Sequence, residues 1–136
     1  MRLKSRTAAI AQWSWWRRVS VAGAFGLPVL LMAVIALNSG DANPWDLLSN
    51  GLYWAAPYGV VFLVHKFGPF VRSTFLTPAL LAVSGVLLVF WCWIWWIVPW
   101  REGPIAWLLY PPACAAVLLL VWMVTSIHAH LRERHS

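Results

Sequence analysis

The side chains in this chain best suited to specific chemistry are His65 and His128, each of which closes a long apolar run. Imidazoles offered by two helices at one depth are a ligand set for haem iron. A ligating histidine, however, needs a hydrogen-bond acceptor for its second ring nitrogen, and Glu133 is the one acid near these positions. His65 also lies beside Lys66, and His128, with His130 and His135 behind it, lies beside Arg132 and Arg134, where a hydrated imidazole needs no partner. No metal and no cofactor is therefore expected. Cys92 and Cys114 fall inside apolar runs with no Cys-x-x-Cys pair, so both are expected as free, packed thiols acting as small hydrophobes.

The strongest local anomaly is aromatic. Trp91, Trp93, Trp95, Trp96 and Trp100 place five of the twelve tryptophans within ten residues. Indoles favour the headgroup boundary of a bilayer, which explains part of the run. Trp91 lies about 13 Å below Trp100 along a helix, deeper than a headgroup belt requires. Trp91 and Trp95 share one face, and Trp93, Trp96 and Trp100 another. With Trp54 and Trp107 expected at similar depth, the group forms an aromatic surface suited to a partner helix, lipid, quinone or cationic ligand.

No Ser/His/Asp set, His-Glu-x-x-His or glycine-rich phosphate loop is present, so no catalytic residue is expected and the chain reads as a non-enzyme. Asp, Glu, Lys and Arg are absent from residues 19–37, 47–64, 73–98 and 104–127. A hydrocarbon layer about 30 Å thick takes roughly 20 apolar residues at about 1.5 Å each, so these four windows predict four membrane-spanning helices. Size and span number resemble those of the small multidrug resistance family, whose proton-coupled export depends on an embedded carboxylate. No acidic residue lies in these windows, and no site is carried over from that resemblance.

Charge placement orients the spans. Of ten basic residues, Arg2, Lys4, Arg6, Arg17, Arg18, Lys66, Arg72, Arg132 and Arg134 fall on one side of the alternation, and Arg101 alone falls on the other, with Asp41, Asp46 and Glu102. Retention of Lys and Arg in the cytoplasm predicts both termini inside, in a bacterial cytoplasmic membrane. Arg17, Arg18, Lys66 and Arg72 then read as contacts to lipid headgroups, and the net charge of +6 is not a nucleic-acid signal. The basic segment before residue 19 resembles the start of a leader. The 19-residue apolar run behind it exceeds the usual h-region of roughly 7–15, and Asn38-Ser39-Gly40-Asp41 is a poor cleavage site, so the run is expected to persist as a span.

Small residues mark where helices can approach: Gly51, Ala55 and Gly59 in the second span, Ala79, Ala82 and Gly85 in the third. In lipid, helices associate by close backbone approach rather than by hydrophobic force, so both rows are expected as helix-packing or partner surfaces. The turn Asn43-Pro44-Trp45-Asp46 is expected to start the second helix with Asp46 near its positive end. Prolines at Pro28, Pro57 and Pro111-Pro112 are expected to kink their helices, the last pair alternatively delaying the start of span four.

The expected fold is an all-α, four-transmembrane-helix bundle over a single domain, residues 1–136. Spans are placed at about 19–37, 47–64, 74–98 and 104–127, a partly helical basic arm at 1–18 and a basic tail at 128–136. The expected function is non-catalytic: lateral association with another integral membrane protein or with a second copy, as an accessory subunit, assembly factor or immunity protein. The alternatives are an oligomeric channel or small-solute transporter lined by Asn50, Tyr53, Tyr58 and Ser84, and a haem- or quinone-binding redox subunit. The topology has a direct check. In a Cys92→Ser, Cys114→Ser background, a charged maleimide applied to spheroplasts should label Asn43→Cys and spare Ser5→Cys and Ser136→Cys; the reverse pattern refutes the orientation.

Overall fold

A computed structural model of the chain describes residues 2–40, 43–68, 73–99 and 102–134. Arg72, Trp100 and Arg101 lie outside the described residues, as do Asp41 and His135. The fold is all-helical: α1 (Arg2–Ser39), α2 (Pro44–Phe67), a 3-10 turn (Ser73–Phe75), α3 (Leu76–Trp96), the short α4 (Gly103–Trp107) and α5 (Tyr110–Arg134). Four stretches are long and apolar enough to cross a membrane: Ser14–Asn38, Pro44–Phe67, Leu76–Trp96 and Gly103–Arg134. They run alternately up and down. "Upper" here denotes the end where α2 and α5 begin and α3 ends.

The charge-free windows locate the helices but not their ends, because an intrahelical hydrogen bond holds a polar residue as well as an apolar one. The basic arm is not a separate, partly helical piece. It continues into span one as a single helix of 38 residues, ending at Gly40, whose φ of 60° is the left-handed cap that glycine takes without strain. The basic tail is likewise helical as far as Arg134. At the start of α2 the expected turn forms: Asn43 accepts the Trp45 N–H through its side chain at 3.1 Å, Pro44 occupies the first turn, and Asp46 sits against the positive helix end.

Pro28 and Pro57 lie within continuous helices, both on buried faces. At Pro111-Pro112 the helix breaks instead of bending. α4 stops at Trp107, residues 108 and 109 form a turn, and α5 begins at Tyr110. The pair has no N–H to offer the carbonyls of Trp107 and Leu108 four residues earlier, so a helix cannot run through both positions with its bonds intact.

α3 is the axis of the bundle and packs against α1, α2 and α5. Its Ala79, Leu80, Val83 and Leu87 are fully enclosed, recurring at helical spacing on the face that receives the other helices. Each neighbour contributes one stripe: Ser20, Ala24 and Leu31 from α1, Gly51, Trp54, Tyr58 and Val61 from α2, Tyr110 and Cys114 from α5. The Ser20 hydroxyl is satisfied within its own helix, on the Arg17 carbonyl at 2.9 Å. Toward the lower end α5 is only half-buried, and Leu119, Leu120, Met123, Val124 and Ile127 face outward.

The two rows of small residues divide. Gly51 is buried where α1 crosses α2, and a side chain there would run into the thioether of Met32. Ala79 is enclosed, while Ala55 and Ala82 are half-buried. Gly59 and Gly85 are exposed, with open space where a Cβ would stand, and Gly26 of α1 has the same setting. Internal packing uses the Gly51 and Ala79 ends of the rows and leaves both outer glycines unused. Accordingly, Gly51→Leu should lower the stability of the detergent-solubilised monomer by about 1–3 kcal/mol through overpacking. Gly59→Leu and Gly85→Leu, which meet open space and remove the helix-interior cost of glycine, should match the parent or exceed it by up to about 1 kcal/mol. Steric-trapping measurements of unfolding would separate these cases.

Candidate functional site

The tryptophan-rich run is resolved by side. Trp54, 3% exposed, lies at the centre of an aromatic cluster at the upper end, in contact with Trp91 at 5.6 Å edge-to-face and Trp107 at 5.4 Å. Tyr110, with no exposed surface, closes the cluster against Tyr53 at 6.0 Å, Phe90 at 5.8 Å and Trp107 at 5.7 Å. Trp91 carries the contact outward to Trp95 at 5.6 Å, and Trp93 packs edge-on against Phe90 at 5.7 Å. Trp96 is 81% exposed and Trp95 is exposed as well, at the end of α3. The deep indoles are therefore packing groups, and the shallow ones face outward at the level expected of a headgroup belt. Edge-to-face and tilted pairs of this kind contribute about 0.5–1.5 kcal/mol each beyond the area they bury.

Two hydrogen bonds tie the cluster to the prolines. The Tyr53 hydroxyl donates to the Trp107 carbonyl at 2.6 Å, and the Tyr110 hydroxyl donates to the Trp54 carbonyl at 3.1 Å. The pattern is reciprocal: each side gives a phenol to the other side's tryptophan carbonyl. Its placement follows from the backbone. Pro111 cannot supply the N–H that the Trp107 carbonyl would receive in a continuous helix, and Tyr53 supplies a donor in its place. Pro57 likewise deprives the carbonyl of Tyr53, and Tyr110 bonds the adjacent carbonyl in that opened turn. Tyr110 and Phe90 are the residues that sequence reasoning did not single out. The available signal was the proline pair itself, since carbonyls stripped of donors in an apolar layer require a hydroxyl at the same depth.

Deeper in the bundle, the hydroxyls of Tyr58 and Ser84 pair at 2.8 Å between α2 and α3. Of the four residues that could line a path, Tyr53, Tyr58 and Ser84 are engaged within the chain, and Asn50 is exposed near the start of α2. Cys92 is half-buried and Cys114 buried, and both are free thiols, as the sequence predicts. Cys92 lies with Leu88, Val89, Trp93, Trp96 and Ile97 along a shallow apolar groove on the outer side of α3.

At the lower end, Arg17, Arg18 and Lys66 are exposed. Trp15 and Trp16 form an edge-to-face pair at 5.2 Å beside the two arginines, and the Lys66 ammonium lies 5.3 Å from the Phe67 ring. His65 is half-buried at the end of the inward stripe of α2, with its Nδ1 enclosed and unpartnered. His128 is exposed on α5, and no hydrogen bond or ion pair joins the two rings. Among the described residues no group of three His, Cys, Asp or Glu is placed to hold a metal ion.

No family model, curated protein or solved structure matches the chain. The geometry itself is what bears on function: a filled aromatic core at one end, hydroxyls bonded internally, and apolar outer faces carrying glycines.

The cluster yields a graded expectation. Tyr110→Phe removes one hydrogen bond and should cost about 0.6–1.5 kcal/mol. Tyr110→Ala also removes three ring contacts and should cost at least about 3 kcal/mol, measured by unfolding in mixed micelles.

Proposed function

We infer that this multi-pass membrane protein works by lateral association with another integral membrane protein, as an accessory or assembly component of the bacterial cytoplasmic membrane with both termini in the cytoplasm. One observation carries the reading: Gly59 and Gly85 stand on exposed faces of α2 and α3, with no neighbouring helix within 4 Å of where a Cβ would stand. Glycine costs about 1 kcal/mol relative to alanine inside a helix, and here no contact within the chain compensates for that cost. A second helix approaching those faces would compensate, since small residues let backbones close to the distance at which dispersion and weak Cα–H···O contacts act.

Supporting features point the same way. Residues 19–37, 47–64, 73–98 and 104–127, the central parts of the spans, hold no Asp, Glu, Lys or Arg, which proton and ion paths ordinarily use. The uncharged hydroxyls of Tyr53, Tyr58, Ser84 and Tyr110 are bonded to one another or to carbonyls. The connections between helices are too short to fold alone, so recognition has to take place along the helices and at their rims.

The reading is tested by photo-cross-linking in native membranes at native expression, followed by mass spectrometry of what travels with the chain. A discrete membrane protein should be recovered with the parent, and its yield should fall at least fivefold for Gly59→Leu or Gly85→Leu while the chain's own abundance holds. Recovery of lipid alone, or equal yield from the leucine variants, would overturn it. Selective solute flux through vesicles containing only the purified chain would decide for a channel instead.

A further inference from the structure

The short helix α4 stands apart from the other elements. It has five residues, is joined to α5 through a turn at residues 108 and 109, and precedes two prolines that offer no backbone donors. Its outer residues Ile105, Leu108 and Leu109 are exposed. It is held from within by two features: Ala106 is buried, and Trp107 fills a slot between Trp54, Phe90 and Tyr110. A single hydrogen bond, from Tyr53 to the Trp107 carbonyl, ties its backbone to α2.

We propose that α4 is a hinged plug: it swings about residues 108 and 109, with the Tyr53 phenol as its latch and Trp107 as the group that seats in the aromatic slot. The backbone explains why the hinge lies there. In an unbroken helix the Trp107 and Leu108 carbonyls would be bonded to residues 111 and 112, and motion of α4 would break those bonds. Here both positions are proline, so α4 can leave without losing them. Opening costs the Tyr53 bond, the Trp107 ring contacts and the two turn bonds that cross the hinge, from the Leu108 N–H to the Ile105 carbonyl and from the Leu109 N–H to the Ala106 carbonyl, each 3.1 Å. The structure represents the closed state. The open state uncovers a slot the size of an indole, walled by Trp54, Phe90 and Tyr110, with the Tyr53 hydroxyl free to donate at its rim.

Opening is read by a thiol on the plug. In a Cys92→Ser, Cys114→Ala background, Ala106→Cys places one cysteine on the buried side of α4 in the full-length chain, reconstituted in nanodiscs and exposed to a charged maleimide. Labelling should be slow. Tyr53→Phe should accelerate it by between about twofold and tenfold, the worth of one neutral hydrogen bond. Adding Pro111→Ala should return the slow rate, because that change gives the Trp107 carbonyl a backbone donor and makes the latch redundant. Pro111→Ala alone should slow labelling below the starting rate. Tyr58→Phe, which removes a hydroxyl pair deeper in the bundle, should leave the rate unchanged. The plug is refuted by an unchanged rate in Tyr53→Phe, by equal acceleration in Tyr58→Phe, or by acceleration rather than slowing in Pro111→Ala.

Discussion

An apolar layer supplies no water to a backbone, so every carbonyl deprived of its intrahelical donor must find another inside the protein. In this chain that requirement is concentrated at the upper end, where Pro57 opens a turn of α2 and Pro111-Pro112 interrupt the fourth span. Tyr53 answers it at the Trp107 carbonyl, which Pro111 leaves without a backbone donor, and Tyr110 crosses the other way to the Trp54 carbonyl, next to the one that Pro57 deprives. The aromatic cluster follows from this exchange. Two phenols bonded in opposite directions hold α2 and the α4–α5 junction at one separation, and the rings of Trp54, Trp107 and Phe90 fill the space between them.

The same constraint explains the asymmetry of the bundle. α3, whose one proline, Pro78, lies in its first turn, packs against three neighbours and encloses Ala79, Leu80, Val83 and Leu87. α5 buries Tyr110 and Cys114 at its start, and farther down it is only half-buried, resting on the core through Leu118 and Val121 and meeting the 3-10 turn at the lower end. Packing without a hydrophobic driving force depends on fit, and fit is best where rings and hydroxyls interlock. The outer faces of α1, α2 and α3 each carry an exposed glycine, Gly26, Gly59 and Gly85, that no contact within the chain uses.

Much of this was legible one residue at a time. The absence of charge over four windows located the spans, and Asn43-Pro44-Trp45-Asp46 marked the start of α2, because capping is a local matter of donors and dipoles. The course of the chain at Pro111-Pro112 was legible as a disturbance, though not as a break with its own short helix before it. The aromatic run was legible as an excess. Its division into core and surface was not, since tryptophan is at home both in a packed interior and at the headgroup boundary. Gly51 and Gly59 looked equivalent in a four-residue repeat; two turns of helix separate them, and only the neighbouring α1 makes one buried and leaves the other open.

The sequence by itself determined the number of spans and the approximate extent of each, because span length is a one-dimensional property written in runs of uncharged residues. The tertiary structure alone decided which face of each helix points inward, which tryptophans pack in the core, which glycines meet a neighbour, and which hydroxyl stands in for the donor that Pro111 lacks. The reason is physical. In a soluble protein the inner and outer faces of a helix differ in polarity and the difference can be read along the chain, whereas here both faces are apolar, and only the fitted shape of neighbouring helices tells them apart.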